Sequence, residues 1–192
     1  IKREVDEISF SWESPSNIAL VKYWGKNSDQ TPKNPSISFT LTNCKTTTSV
    51  SFKKRVNKSD KIDFELLFEG EKNLSFRPKI EKFFSTIKNY CPFLLDYHLK
   101  ISSSNSFPHS SGIASSASAM SALSLCIMSF EKELTSIQED FFFKKASFIS
   151  RVGSGSASRS IYGGVNLWGS HPDFPFSSNL YSTQISDNIS AE

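Results

Sequence analysis

The chain has 192 residues, 38% of them hydrophobic and 21% charged, with a formal net charge of +3 at pH 7. That is an ordinary globular composition, long enough to bury the core of one domain, or of one domain and part of a second. So small a positive charge argues against a nucleic-acid partner, and no run of about 18 apolar residues is present to cross a bilayer.

The first residues, Ile-Lys-Arg-Glu-Val-Asp-Glu, are charged where a signal peptide needs an apolar segment. Residues 8–12 read as a short strand closed by Ser14-Pro15-Ser16, and residues 17–24 as a second extended run ending in Gly25-Lys26. A polar loop containing Pro32 follows. Residues 36–41 alternate with period two, with Ile37, Phe39 and Leu41 on one face; residues 46–52, rich in β-branched side chains, read as the neighbouring strand. The basic cluster Lys53-Lys54-Arg55 with Lys58 and Lys61 reads as a solvated hairpin edge. Residues 62–68 alternate again before the turn Glu69-Gly70-Glu71.

From Arg77 the period changes. Ile80, Phe83, Phe84 and Ile87 predict a helix over residues 77–90, ended by Pro92. Residues 97–102 predict a strand, residues 113–130 and 136–151 two helices, residues 165–168 a short strand and residues 181–185 another. Strands first and helices later predict an α+β fold, with helices packed on one face of a mostly antiparallel sheet. Cys44, Cys91 and Cys126 form no C-x-x-C pair, so neither a zinc site nor a disulfide framework is indicated and a reducing compartment is the simplest setting.

Three polar clusters carry the chemistry. The first, residues 17–26, holds Asn17, Lys22, Tyr23, Trp24, Gly25 and Lys26. On an extended strand Lys22 and Lys26 share one face and Tyr23 takes the other; converging lysines suit a phosphate, and the same pattern also decorates plain surfaces. The second is Pro108-His109-Ser110-Ser111-Gly112-Ile113-Ala114-Ser115-Ser116, a bend running into a helix start. First-turn N–H groups and roughly half a positive charge make a helix N-terminus a seat for phosphate. Ser110, Ser111, Ser115 and Ser116 add hydroxyl donors or a metal contact; a serine-capped core helix is the alternative. With no lysine after Gly112 and no G-x-G-x-x-G, it is neither a Walker A nor a Rossmann loop. The third cluster runs Ser154-Gly155-Ser156-Ala157-Ser158-Arg159-Ser160. Guanidinium binds phosphate or carboxylate with two parallel bonds, although an arginine-capped helix end would look alike. Ala157 breaks the hydrolase elbow G-x-S-x-G; His98, His109 or His171 could supply a base for a serine nucleophile, an alternative the sequence leaves open although no aspartate-histidine motif supports it.

Together the clusters resemble one family, the diphosphomevalonate decarboxylases of the GHMP kinase superfamily. Residues 108–118 match the superfamily loop P-x-x-x-G-[LI]-x-S-S-A-[SA] at every defined position. Residues 17–26 match N-I-A-x-x-K-Y-W-G-K. Residues 153–164 match G-S-G-S-A-C-R-S-[LI]-[YF]-G-G, with Ser158 in place of the cysteine. The resemblance covers residues 9–168 and implies a GHMP-kinase N-terminal domain over residues 1–185, with residues 186–192 beginning a C-terminal domain. It also implies ATP-dependent decarboxylation of (R)-5-diphosphomevalonate to isopentenyl diphosphate, in isoprenoid biosynthesis, releasing ADP, phosphate and CO2. The cofactors would be ATP and Mg2+, and the protein a cytoplasmic homodimer with no nucleic-acid or membrane partner.

By motif, Lys22 and Arg159 would be catalytic, Arg159 at the substrate carboxylate and Lys22 at the reacting end. Asn17, Tyr23, Trp24, Gly25, Lys26, Ser154, Gly155, Ser156, Ala157 and Ser158 would join Arg159 in holding substrate. Pro108, Ser110, Ser111, Gly112, Ser115 and Ser116 would hold ATP, with Ser116 reaching Mg2+. Arg77, at a helix start, is an extra anion contact that no motif supports. Pro35 stands where the family has serine or aspartate. The family's catalytic aspartate belongs to a C-terminal segment, and neither Asp173 nor Asp187 has its context. The chain therefore reads as the N-terminal portion of such an enzyme, inactive alone. Two rivals stay open: a sister enzyme acting on mevalonate or its monophosphate, and a binding domain that kept the fold without turnover.

Overall fold

A computed structural model describes residues 4–57, 59–72, 74–108 and 113–187. The elements are β1 (Glu7–Val21), β2 (Ser36–Lys54), β3 (Asp63–Phe68), β4 (Glu71–Lys72), α1 (Arg77–Ile87), β5 (Tyr97–Asn105), α2 (Ser115–Thr135), α3 (Glu139–Gly153), β6 (Val165–Trp168) and β7 (Ser182–Ser186), with 3-10 turns at Pro92–Asp96 and Gly155–Ser160. The strands form one sheet in the order β4-β3-β5-β2-β6-β7, and β1 pairs with β2. Every pairing is antiparallel except β3 with β5. The expected α+β class therefore holds. The expected domain limit at residue 185 falls within β7, which runs to Ser186 against β6; residues 188–192 lie outside the described residues.

Four expected strands are two long ones. β1 runs straight through Pro15, and the pairing jumps from Pro15 with Lys45 to Ser16 with Leu41, so the presumed break in β2 is a bulge. Pro15 is tolerated on β1, an edge strand whose only partner among the described residues is β2. In the first half of β2 the period-two pattern is present with its faces reversed from the usual order: Ser36 and Ser38 are fully buried, whereas Ile37, Phe39 and Leu41 are half-buried.

The helices cover one face. Phe52, Leu99 and Ile101 from the sheet meet Phe83, Leu125, Phe130 and Ile149 from the helices, and Phe52 stacks on Phe130 at 4.3 Å between ring centroids. α2 is the central helix, and its buried serines turn their hydroxyls back on their own helix: Ser118 to Ser115 O at 3.1 Å, Ser124 to Met120 O at 2.8 Å. Buried polarity is thereby satisfied without interrupting the core. All three cysteines are free, and burial pushes the Cys91 and Cys126 thiols up to about 12. No helix among the described residues is long and apolar enough to cross a membrane.

Candidate functional site

α3 ends at Gly153, and the Gly155–Ser160 turn packs against β1 and α2. Asn17 on β1 donates through Nδ2 to Ser160 Oγ at 2.7 Å and to Ser156 O at 3.1 Å, while Ser14 Oγ donates to Ser160 O at 2.7 Å. From α2, Ser121 Oγ donates to Ala157 O at 2.6 Å. Clusters far apart in sequence are thus joined by buried hydrogen bonds.

Arg159 is 3% exposed. Its Nη1 donates to Ser36 Oγ, which in turn donates to Val21 O at 2.5 Å. The guanidinium lies 5.7 Å from the Tyr23 ring centroid and 6.0 Å from that of Trp168, and the two rings meet edge to face at 5.0 Å. Nε is buried without a partner, and no carboxylate among the described residues pairs with this arginine. Burial pulls its pKa down to about 10, opposed by Tyr23, so the group still carries its charge at neutral pH. A buried cation left without an acid is costly, and its geometry suits pairing with an anion. Ser154 and Ser156 are half-buried beside it, their hydroxyls 3.5 Å apart. Ala157 and Ser158 are fully buried, and Ser158 Oγ donates to Gly155 O at 3.1 Å. They shape the turn, so the serine-for-cysteine departure changes an inward-facing atom.

The extended run ends at Val21, sooner than expected, and the alternation that set Lys26 opposite Tyr23 does not apply. Gly25, at φ +119°, turns the chain so that the Lys26 ammonium sits 5.7 Å from the Tyr23 ring centroid. A Cβ on Gly155 would lie 2.7 Å from Lys26 Cε and 3.0 Å from Trp168 Cη2, so the close pass of Lys26 requires glycine there. Lys26 Nζ donates to Gln30 Oε1 at 3.3 Å. Its pKa is lowered, by burial first and by the charge of Arg151 second. Asn34 brackets the backbone of this segment, accepting from the Trp24 N–H at 2.6 Å and donating to Lys22 O at 3.1 Å. The Lys22 side chain is exposed and touches no partner among the described residues, and Trp24 is 86% exposed.

In the second cluster, Ser110, Ser111 and Gly112 lie outside the described residues, as does His109. Pro108 is exposed at the near end. On the far side Ile113 O accepts from Ser16 Oγ, and Ala114 takes the left-handed φ of +57°. The first turn of α2 has no side-chain cap, so its N–H donors are not claimed by a capping side chain. Ser115 and Ser116 line a cavity of about 150 Å³ walled by Ile101, Met120 and Phe76, with Lys79 of α1 on its rim. Lys79 has a lowered pKa, from burial and then from the charge of Lys26. Arg77 is elsewhere: it bridges to Glu81 at 2.8 Å and stacks 4.7 Å from the Phe64 ring centroid. No group of three or more His, Cys, Asp or Glu among the described residues could hold a metal.

Ser36, Trp168 and Lys79 were missed from the sequence. Ser36 is 123 residues from the arginine it holds, and only the buried Ser36–Ser38 alternation hinted at a polar face.

The profile of the diphosphomevalonate decarboxylase-like N-terminal domain matches residues 14–178. The diphosphomevalonate decarboxylase ERG19 of Gibberella zeae is 35% identical over 172 residues, covering 82% of this chain and 42% of its own. The crystal structure of mevalonate diphosphate decarboxylase from Staphylococcus aureus superposes with a TM-score of 0.73 at 32% identity, over 95% of this chain and 51% of that one. MDDEF in complex with MVAPP, AMPPCP and magnesium superposes with a TM-score of 0.70 at 30% identity, over 92% and 49%. The chain thus spans about half the length of the relatives it matches. It belongs to the diphosphomevalonate decarboxylase-like N-terminal domain family.

Proposed function

We propose that this chain supplies the ATP-binding half and much of the substrate-binding half of an enzyme that decarboxylates (R)-5-diphosphomevalonate to isopentenyl diphosphate. The observation that carries the reading is Arg159, a charge held 3% exposed with no acidic partner among the described residues, a few ångströms from the Tyr23 ring that Lys26 also approaches. A substrate with a carboxylate at one end and a diphosphate at the other needs two cationic stations. Arg159 with Ser154 and Ser156 serves the carboxylate; Lys26 serves the diphosphate, and Tyr23 braces both cations. Lys22 is assigned the reacting end by its motif alone, and Asn17 orients the turn through Ser156 and Ser160.

Decarboxylation erases the carboxylate's charge, so an ion pair there stabilises the ground state more than the transition state. Arg159 therefore works by aiming the carboxylate, and its fixed seat between Ser36 and two aromatic rings suits that role. The residues also fit ATP. The uncapped first turn of α2, with Ser115 and Ser116, offers donors to phosphates, and the apolar cavity beside them suits a flat base. Mg2+ usually keeps phosphate and water ligands with one or two from protein, and the Ser116 hydroxyl would be such a ligand. When bound, ATP supplies the phosphoryl group that lets a hydroxyl oxygen leave as phosphate.

Full-length protein given ATP, Mg2+ and each of mevalonate, phosphomevalonate and diphosphomevalonate should release ADP and CO2 in equal amounts from the diphosphate alone. ADP without CO2 from diphosphomevalonate would overturn the reading in favour of a kinase of the same branch. The reading extends to a homodimer in the cytoplasm, and a monomer in sedimentation of the full-length protein would remove the dimer.

A further inference from the structure

Residues 26–32 form a small closed loop. The Asn27 N–H donates to Thr31 O at 2.9 Å, the Gln30 N–H to Asn27 O at 3.0 Å, and Asp29 Oδ1 accepts from the Thr31 hydroxyl at 2.6 Å. An isolated bridge between Lys26 and Pro32 closes its neck. Gln30 takes the left-handed φ of +65°, a position that brings its Oε1 within 3.3 Å of the Lys26 ammonium. Nearly all these bonds are internal to the loop. Among the described residues, one hydrogen bond ties the loop to the rest of the fold: Arg151 Nη1 to Asp29 O, at 3.1 Å.

Arg151 is the third residue before Ser154, on the last turn of α3, and is 3% exposed. Its Nε donates to Leu180 O at 2.8 Å, and its guanidinium stacks 5.4 Å from the Phe148 ring centroid. Both hydrogen bonds go to backbone carbonyls of loops that are distant in sequence. Burying a guanidinium to satisfy two carbonyls is an expensive arrangement, and it makes structural sense where the position of a loop matters. The planar fork reaches two diverging acceptors at once, which an ammonium on a flexible stem does poorly.

We propose that Arg151 is a positioning residue for this site: by holding the Asp29 carbonyl it fixes the loop of residues 26–32, and through Gln30 it sets where the Lys26 ammonium meets the substrate's diphosphate. The proposal rests on the reading of Lys26 as a diphosphate contact. It makes Arg151 the link between the end of α3, which carries Ser154 and Arg159 just beyond it, and the loop that carries Lys26. The carboxylate station and the diphosphate station are then held at a fixed separation by one side chain that touches neither ligand.

The test uses full-length protein with Arg151→Ala, Arg151→Lys, Gln30→Gly and Lys26→Met. Arg151→Ala should speed hydrogen exchange in the peptide covering residues 26–32 by about tenfold or more, with β1 unchanged. It should raise KM for diphosphomevalonate by about tenfold while kcat and KM for ATP move by less than about twofold. Arg151→Lys should recover part of the loss. Gln30→Gly suits the left-handed backbone while removing the whole side chain and with it the amide that meets Lys26, and should raise the same KM by about threefold; it carries the test if Arg151→Ala fails to fold. Unchanged exchange in Arg151→Ala overturns the proposal, as does an equal loss in every kinetic constant, which is the mark of a general structural role. If Lys26→Met raises KM for diphosphomevalonate and Arg151→Ala does not, the link to Lys26 is wrong while the reading of Lys26 stands. If Lys26→Met leaves that KM unchanged, the reading of Lys26 falls and takes the link with it.

Discussion

On one wall of the candidate site Arg159 is 3% exposed, hydrogen-bonded to Ser36 and enclosed by two aromatic rings. On the other, Ser116 stands in solvent at the uncapped start of α2, beside an apolar cavity of about 150 Å³. The first wall spends buried polar groups to hold a few cationic atoms in fixed places before any ligand arrives. The second makes few polar bonds of its own and leaves donors unclaimed. A small anion with one carboxylate needs the first kind of wall. A nucleotide that brings its own phosphates and metal can organise the second. Substitutions should therefore separate the walls: on the first they should change chemistry with little change in stability, and on the second they should change nucleotide affinity.

Arg159→Met should have the largest effect. Removing one partner of a buried charged contact costs about 2–5 kcal/mol, so kcat/KM for diphosphomevalonate in the full-length enzyme should fall by at least about thirtyfold and up to about five-thousandfold. The unliganded variant should nevertheless melt no lower than wild type, because the charge it removes has no acid to offset its burial. The sign with pH follows from the lowered folded-state pKa of about 10. Below that value the folded protein bears the cost of a buried charge; above it the unfolded chain holds the proton more tightly, so stability rises with pH. Wild type should then gain stability relative to Arg159→Met as pH is raised past about 10, measured as the difference in melting temperature at each pH. A variant that is markedly unstable at neutral pH would make Arg159 part of the scaffold and erase the contrast.

A pair of glycines sharpens the same contrast within one short segment. The Cβ of Gly155→Ala would meet Lys26 at Cε and Nζ, the mobile end of a long side chain, and Trp168 at 3.0 Å. The lysine can move aside, so stability should fall by no more than about 1 kcal/mol while KM for diphosphomevalonate rises about thirtyfold. The Cβ of Gly153→Ala would lie 2.6 Å from Met120 Cγ and 2.9 Å from Phe83 Cδ2, both in the core. That change should cost about 1–3 kcal/mol of stability, with kcat/KM per folded molecule retained. Chemical denaturation and steady-state kinetics on the two variants would decide whether the expected exchange of effects occurs.

The same division governs what could be read from the sequence. Arg159 was legible because its glycines, hydroxyls and guanidinium lie within seven consecutive residues, and the helices were legible because their apolar spacing is local. Ser36 was not, since its role comes from a partner 123 residues away. Pro15 and the polar residues 42–45 read as breaks that make four strands of two; that β2 carries a bulge, and that β1 has no second partner among the described residues, is decided by pairing. Lys22 and Lys26 were given one face by an alternation that stops at Val21, where Gly25 then turns the chain. The buried face of residues 36–41 is the serine face, because the turn packed against it carries Arg159 and needs polar neighbours. Alternation reports which residues share a face and leaves open what covers that face.

On the second wall, Ala119→Leu would place extra methyl groups in the cavity that Ser115 and Ser116 line. Filling empty apolar space is close to neutral for stability or gains up to about 1 kcal/mol where the new side chain fits. If the cavity takes the nucleotide's base, KM for ATP should rise about tenfold and KM for diphosphomevalonate should stay within about twofold. An unchanged KM for ATP would move the base elsewhere and leave α2's first turn as a phosphate seat alone.

The smallest expected effect comes from Trp24, which the motif groups with Tyr23 and which the fold separates from it. Tyr23 lies against Trp168, Arg159 and Lys26. Trp24 points into solvent at 86% exposure, and its described hydrogen bond runs from its backbone N–H to Asn34, a contact any residue other than proline can make. Exposed side chains remote from buried features change stability by less than about 0.5 kcal/mol. Trp24→Ala should therefore keep kcat/KM within about twofold. Tyr23→Ala removes the ring that braces both cations and should lower kcat/KM by about tenfold or more, since cation–ring contacts contribute about 0.5–2 kcal/mol each. A loss in Trp24→Ala as large as in Tyr23→Ala would mean that the exposed ring is covered in the working enzyme by a surface this domain does not itself provide.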